Sequence, residues 1–324
     1  MHMRTKQEAK KGLNANNFAK TKKTLALLTM VAPATIWMLL LRYLPMGGLV
    51  LAFKQYKVNP RNPTFISNLL NSKWVGFDNF KFLFMTNDAW TIIRNTLGYN
   101  IVFIILGVII PVSFAIMMNE LTHKFVAKAY QTMMFFPYFL SWVVVSYFLN
   151  AFLDGQYGML PAMQRAAGEP ITNWYTTIKP WPYILVLANL WKNVGYSTVL
   201  YLAAITGIDT TQYEAAAIDG AGKWQQIWHV TIPNLRTMIA ILFIMNVGKI
   251  FNADFGLFYN VPMQNGALFS VTQVMDTYIY YAMRNTGNIS MASAAGLFQN
   301  AVGFVCILVA NSVVKKLDSE SSLF

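Results

Sequence analysis

Charge is what this 324-residue sequence has least of: Asp, Glu, Lys and Arg make up 12% of it, against roughly 25% in a soluble domain. So little charge cannot coat a soluble globule of this size, and the 56% of hydrophobic residues excludes disorder as well. Cysteine occurs once, as Cys306, which excludes a disulfide scaffold. Histidine is limited to His2, His123 and His229. No His-Glu-x-x-His, Gly-x-Ser-x-Gly or Cys/His cluster occurs, so the familiar zinc and nucleophile chemistries lack their residues. A phosphate-cradling Gly-x-x-x-x-Gly-Lys-[Ser/Thr] loop is also missing. Gly220-Ala221-Gly222-Lys223 comes nearest, but without the spacing, the hydroxyl or a preceding strand. Whatever work this chain does is powered from elsewhere.

An integral membrane protein remains. The net charge of +12 would point a soluble chain towards nucleic acid. Here seven of the 25 basic residues fall in the first 24, beside the first apolar stretch, a placement that suits the inner face of a membrane. That stretch, Leu25 to Leu44, has no small-x-small cleavage site at its end and reads as a retained signal anchor. Crossing the hydrocarbon core takes about 20 mainly apolar residues. Six stretches qualify: 25–44, 92–118, 127–153, 183–206, 236–258 and 291–314. With both termini inside, the inner segments carry more than twice the Lys and Arg density of the outer ones, as the positive-inside rule requires. The expected fold is all-α: a polytopic membrane protein of about six transmembrane helices. A basic tail (1–24) leads into a membrane domain (25–314), and a short tail (315–324) follows. The outer loops are 45–91, 154–182 and 259–290. Their aromatic residues suit either a cap for a soluble partner or plain interfacial anchoring.

The most informative segment is the inner loop 208–235. Thr211 and Glu214 have capping-box spacing, so a helix is expected to start near Thr211. Glu214-Ala215-Ala216-Ala217 favours helix, and Asp219-Gly220 ends it in a turn. A second short helix is expected from about Gly222 to His229, with Pro233 marking entry to the fifth span. Trp224, Ile227 and Trp228 give the second helix an apolar face outside the bilayer, which invites a partner's groove.

This segment resembles the EAA loop of permease subunits in binding-protein-dependent ABC importers. The family pattern is Glu-Ala-Ala, then Asp-Gly-Ala, then Ile-x-Leu-Pro further on. Here it reads Glu214-Ala215-Ala216, Asp219-Gly220-Ala221 and Val230-Thr231-Ile232-Pro233, with only mild apolar exchanges. Arg42-Tyr43-Leu44-Pro45-Met46-Gly47, Val75-Gly76-Phe77-Asp78-Asn79-Phe80 and Arg94-Asn95-Thr96 resemble the sugar-importing, MalF-like branch. Phe136-Pro137-Tyr138-Phe139-Leu140-Ser141-Trp142-Val143 and Trp191-Lys192-Asn193-Val194-Gly195 do so too. The combination is similar to LplB-type permeases for complex oligo- and polysaccharides, and to the larger permeases of alginate importers.

The resemblance implies a coupling role for Glu214, Ala215, Ala216, Asp219, Gly220, Trp224, Trp228 and Pro233. The loop would sit in a cleft of a cytoplasmic ATPase, Glu214 making a charged contact and Gly220 the turn. Glu214 as a mere cap through Thr211 stays open beside that. The implied partners are a second, different permease, two ATPase subunits that bind ATP and Mg, an extracytoplasmic binding protein and an oligo- or polysaccharide. The chain itself would be no enzyme, hold no cofactor or metal, and lie among lipids of the bacterial inner membrane with both termini cytoplasmic. An ion-coupled secondary transporter is the alternative. It calls for internal repeats and intramembrane carboxylates, whereas no repeat is visible and Asp254 is the only carboxylate well inside a span.

Polar residues inside spans normally face a cavity or a partner. Asn189, Asn193 and Tyr196 sit at i, i+4 and i+7 of the fourth span, beside Lys192. In the fifth, Lys249 shares a face with Asn246 and with Asn252. Two such stripes can line a sugar path: amides serve hydroxyls, aromatic rings serve ring faces, and the two lysines favour an anionic glycan such as a uronate. Helix-to-helix bonding, or a pairing of Lys249 with Asp254, is the plainer reading of the same residues. Asn95, Asn100, Gln299 and Asn300 are further candidates.

Overall fold

A computed structural model describes residues 23–59, 64–285 and 287–317. Most of the basic tail (1–22), Pro60, Arg61 and Pro63 of the first outer loop, and the final residues 318–324 lie outside the described residues. Most of the described chain is helical, and the only sheet among those residues is the two-stranded antiparallel pair β1 (Lys54–Gln55) and β2 (Lys73–Trp74).

Helix α1 (Lys23–Phe53) passes the expected exit at Leu44. It widens into a π turn at Leu39–Tyr43 and tightens into a 3-10 segment at Leu44–Phe53. Pro45 occupies the first turn of that segment, where a missing N–H costs nothing. The apolar stretch of α1 is exposed throughout, so it offers leucines to lipid or to another protein and contributes little to the chain's own core.

Helix α2 (Asn87–Asn119) is the second span. The third is not one helix. Helix α3 (Lys124–Phe135) and helix α4 (Trp142–Leu153) meet at a bend of 99°. Phe136–Phe139 forms a 3-10 turn between them, Pro137 withholds an N–H, and the Ser141 hydroxyl caps α4 by accepting from the Val144 N–H at 3.3 Å. Helix α5 (Trp181–Thr206) fills the place of the fourth span. Among the described residues four helices are long and apolar enough to cross a membrane, or five with the bent pair as one span. The 26-residue α5 is not one of them. It runs through the middle of the bundle, packed on α2 and on the α3 bend, where neighbouring protein meets its polar side chains.

Helix α6 (Thr210–Ile218) opens the inner loop, and helix α7 (Lys223–Val247) follows. The fifth span therefore differs from expectation at both ends. α7 starts within the loop and passes straight through Pro233, because a π turn at Ile227–Thr231 makes room for the proline ring. It ends at Val247, short of Lys249, Asn252 and Asp254. Helix α8 (Phe255–Asn260), helix α9 (Met275–Asn285) and helix α10 (Ile289–Leu317) complete the chain.

The bundle has two recognisable ends. Lys223 pairs with Glu120 at 2.9 Å, so the α2–α3 turn and the 207–222 loop share one end. At the other, the Tyr56 N–H reaches Ser290 Oγ at 2.8 Å and Asn265 Nδ2 reaches the Tyr175 carbonyl at 2.9 Å, joining all three expected outer loops. Trp181, Leu185, Tyr99, Leu257 and Phe258 form the core nearer that end. Ala115, Tyr201, Ile205 and Leu235 form the core nearer the first.

α5 approaches the end of α3 backbone to backbone at Gly195, where a Cβ would fall on the Met134 carbonyl and the Phe135 nitrogen. Gly195→Val is expected to force these elements apart and cost about 1–3 kcal/mol or more, as overpacking does. Thermal unfolding of the purified chain in detergent checks this; an unchanged midpoint contradicts the close approach.

Candidate functional site: two helix breaks that meet

Backbone carbonyls released inside a membrane must find donors within the protein. The α3–α4 bend releases those of Tyr138 and Leu140 and turns out that of Pro137, which also accepts from the Leu140 N–H at 3.1 Å. All three converge on the buried ammonium of Lys192, at 3.4 Å from Pro137 O, 2.8 Å from Tyr138 O and a short bond from Leu140 O. The same ammonium lies 5.6 Å from the Tyr138 ring centre and 5.5 Å from that of Trp142. Lys192 was expected on a substrate path beside Asn193. Its donors are instead spent on the bend, and its side chain is scaffold.

The second break is 248–254. α7 gives way to i→i−3 turns, Lys249 N to Asn246 O at 3.0 Å and Ile250 N to Val247 O at 3.1 Å. Asn100 Nδ2 takes the carbonyls of Ile250 and Asn252 at 2.8 and 3.0 Å. Gln299 Nε2 takes that of Phe251 at 2.6 Å, and the Asp276 carboxylate accepts from the Ala253 N–H at 2.6 Å. Asn100 is near the middle of α2, and Gly303, whose backbone closely faces that of Gly248, is near the middle of α10. The break therefore lies about halfway along the bundle. Asn95 likewise serves the backbone, donating to Ser270 O and Gln273 O at 3.1 and 3.0 Å.

The two breaks touch. Trp142, the first residue of α4, donates Nε1–H to the Asp254 carboxylate at 2.7 Å. The other Asp254 oxygen caps α8 by accepting from the Leu257 N–H at 3.3 Å. Gly256 admits the indole, since a Cβ there would strike the Trp142 ring. This corrects the expectation that Asp254 sits inside the fifth span and pairs with Lys249. It also corrects the shared helical face of Asn246, Lys249 and Asn252: Asn246 is in the last turn of α7, and the other two lie beyond it. Lys249 is exposed, and no ion pair engages it among the described residues. In α5, Asn193 bonds back to the Asn189 carbonyl at 3.1 Å, and Tyr196 stacks on Tyr138 at 4.6 Å and 12°.

The loop 208–235 forms a stiff knuckle. Asp209 caps α6, accepting from the Thr211 N–H at 3.0 Å, and that bond holds its carboxyl below the usual range. The expected Thr211–Glu214 capping box does not form, since a carboxylate is the stronger N-cap acceptor. The Glu214 side chain is left exposed. Gly220 turns the chain with φ of +81°, a left-handed conformation that costs a residue with a Cβ about 1–2 kcal/mol. Tyr213 to Thr231 at 3.0 Å and Asn234 to Gln212 at 2.9 Å clamp α6 onto the foot of α7. Ile218, Trp224 and Trp228 project with 86, 75 and 62% of their surface exposed, an apolar patch left uncovered by the described residues.

Residues 104–319 match the model of the binding-protein-dependent transport system inner membrane component family. The chain belongs to this family. It is 33% identical over 318 residues to the protein LplB of Bacillus subtilis (strain 168), with 96% of this chain and 95% of that protein covered. It is 32% identical over 291 residues to the polygalacturonan/rhamnogalacturonan transport system permease protein YteP of the same organism, covering 90 and 88%. Among solved structures it superposes on a bacterial ABC transporter involved in the import of the acidic polysaccharide alginate. The TM-score is 0.82 at 31% identity, covering 93% of this chain and 99% of that one. A further match is a bacterial alginate ABC transporter in complex with an alginate pentasaccharide-bound periplasmic protein, with TM-score 0.80 at 31% identity, covering 91 and 96%. This chain is thus a membrane-embedded ABC importer permease, not an enzyme, and the ion-coupled alternative falls away. The EAA, Asp-Gly-Ala and Ile-Pro residues stand on the knuckle. Trp142, Asn100 and Gln299, which join and satisfy the breaks, carry no sequence signal of that role beyond being polar groups in apolar surroundings.

Removing the Lys192 ammonium takes that donor from the Tyr138 and Leu140 carbonyls, a loss of about 1–3 kcal/mol for each. Lys192→Met is therefore expected to abolish recovery of a monodisperse chain from detergent, while Lys249→Met leaves it intact. For the contact between breaks, a double-mutant cycle of Trp142→Phe and Asp254→Asn on thermal unfolding should give a coupling of about 1.5 kcal/mol. Strict additivity refutes the bond.

Proposed function

We propose that this chain is one half of a heterodimeric permease that imports an acidic oligo- or polysaccharide across the bacterial inner membrane. A second, different permease completes the path. Two ATPase subunits, which hold the ATP and Mg, sit against the knuckle, and an extracytoplasmic binding protein delivers substrate to the opposite end. The knuckle end is cytoplasmic in this reading, and with it both termini.

One observation carries it. α7 begins in the knuckle and ends at the mid-bundle break, so a single rod links the ATPase contact to the point where Lys249 stands exposed, with no ion pair among the described residues. Broken helices near mid-membrane, with unwound backbone lining a cavity, are the usual substrate sites of transporters. Lys249, Asn246, Asn252, Asn193 and Tyr196 are the path residues, the lysine attracting carboxylates and the amides and ring serving hydroxyls and sugar faces. An acidic substrate also agrees with what the polygalacturonan/rhamnogalacturonan permease and the alginate transporter carry.

Glu214, Gly220, Trp224 and Trp228 seat the ATPase. Glu214→Lys and Gly220→Pro are expected to keep basal ATPase activity in the assembled complex while losing its link to uptake. Loss of the complex in both would instead make the knuckle structural. The substrate class is tested by co-purifying the chain with its genomic neighbours and adding binding protein with uronic or neutral oligosaccharides. Stimulation of ATP hydrolysis only by uronates with binding protein is the expected result. Absence of any co-purifying ATPase defeats the reading.

A further inference from the structure

Above the second break lies a run of rings that the path residues do not include. Phe255, which directly follows Asp254, stacks on Tyr259 at 4.8 Å and 19°. Both meet Tyr280 of α9 edge-on at 5.1 Å. Tyr281 lies 5.9 Å from Tyr280 and 6.1 Å from Tyr259. Arg284 ends the run, its guanidinium 5.7 Å from the Tyr280 ring centre and one nitrogen donating to the Tyr280 hydroxyl. The series therefore extends from the mid-bundle break to the last turn of α9, four residues before α10 begins at the outer end.

Arg284 is exposed, and no carboxylate pairs with it among the described residues. The one acid on its own helix, Asp276, is spent on the Ala253 N–H and on Gln299. The Tyr259 hydroxyl bonds the guanidinium too, and a guanidinium fixed by two tyrosines still has three of its five donors, in a rigid planar group that suits a carboxylate. Aromatic rings beside it offer flat faces to the C–H side of a pyranose. Ring faces and a carboxylate fork together fit a uronic acid residue better than a neutral sugar. An interfacial tyrosine–arginine anchor is the competing source of such a cluster, but an anchor has no need of continuity with an internal helix break.

The geometry points to Phe255, Tyr259, Tyr280, Tyr281 and Arg284 as an entry subsite for uronate residues, which passes an acidic glycan from the outer end down to Lys249. This rests on the importer reading and adds a second, outer point of selection to it.

The test is uptake by the full complex in proteoliposomes with its binding protein, using tetragalacturonate, tetramannuronate and maltotetraose as probes. Arg284→Gln is expected to raise the apparent KM for the uronates about tenfold, the loss of one charge-assisted contact, with no change for any neutral sugar the wild type accepts. Arg284→Lys should recover part of that loss, since the charge returns without the fork. Tyr259→Ala should weaken all transported glycans. Equal KM values for Arg284→Gln and wild type on uronates overturn the subsite, as does an equal loss on acidic and neutral probes, which marks a membrane anchor or a folding defect. If the wild-type complex transports none of the probes, the importer reading's substrate class fails first. If it transports uronates and Arg284→Gln does so equally well, only the subsite fails.

Discussion

A helix that stops inside the hydrocarbon layer leaves carbonyls that water cannot reach, and in this chain those of Tyr138 and Leu140 converge on the ammonium of Lys192. Much of the architecture follows from meeting that demand. The lysine has to be central, so α5 runs through the middle of the bundle rather than along its lipid face. It has to come close, so Gly195, one turn away, lets the two backbones touch. Its charge needs company in an apolar place, which the rings of Tyr138 and Trp142 supply at 5.6 and 5.5 Å. The second break is met differently, by amides of Asn100 and Gln299 and the carboxylate of Asp276. Trp142 and Asp254 then bind one break to the other.

Position along the bundle turns these constraints into function. Both breaks lie near mid-depth, where unwound backbone is tolerated only against protein or a water-filled space. α7 has the knuckle at one end and the second break at the other, and a π turn at Ile227–Thr231 lets it continue through Pro233. In the proposed coupling role, a push on the exposed Trp224 and Trp228 would be carried along a continuous helix towards Lys249. The tertiary clamps of α6 onto the foot of α7 keep the knuckle from absorbing that push itself.

Several expectations failed for one reason: apolar length reports hydrophobicity, not continuity. The stretch 127–153 reads as a span because its break is as apolar as its helices, and only Pro137 and Ser141 hint at the bend. The stretch 236–258 hides the end of α7 in the same way. Asn246, Lys249 and Asn252 fall on one face only if the helix continues, and side chains from α2, α9 and α10 end it there. Thr211–Glu214 has capping spacing, yet Asp209 next door is the better acceptor and wins.

The sequence by itself determined the membrane class, the approximate positions of most apolar helices, which loops gather at which end of the bundle, and the knuckle with its Gly220 turn. Each of these depends on composition or on residues close together in the chain, where hydrophobic length, Lys and Arg placement and local turn chemistry suffice. Only the tertiary structure decided where helices break, that Lys192 is spent on the bend while Lys249 has no ion pair among the described residues, and that Trp142 meets Asp254 across 112 residues. Those outcomes depend on which donor reaches an orphaned carbonyl first, and that is a matter of packing in three dimensions.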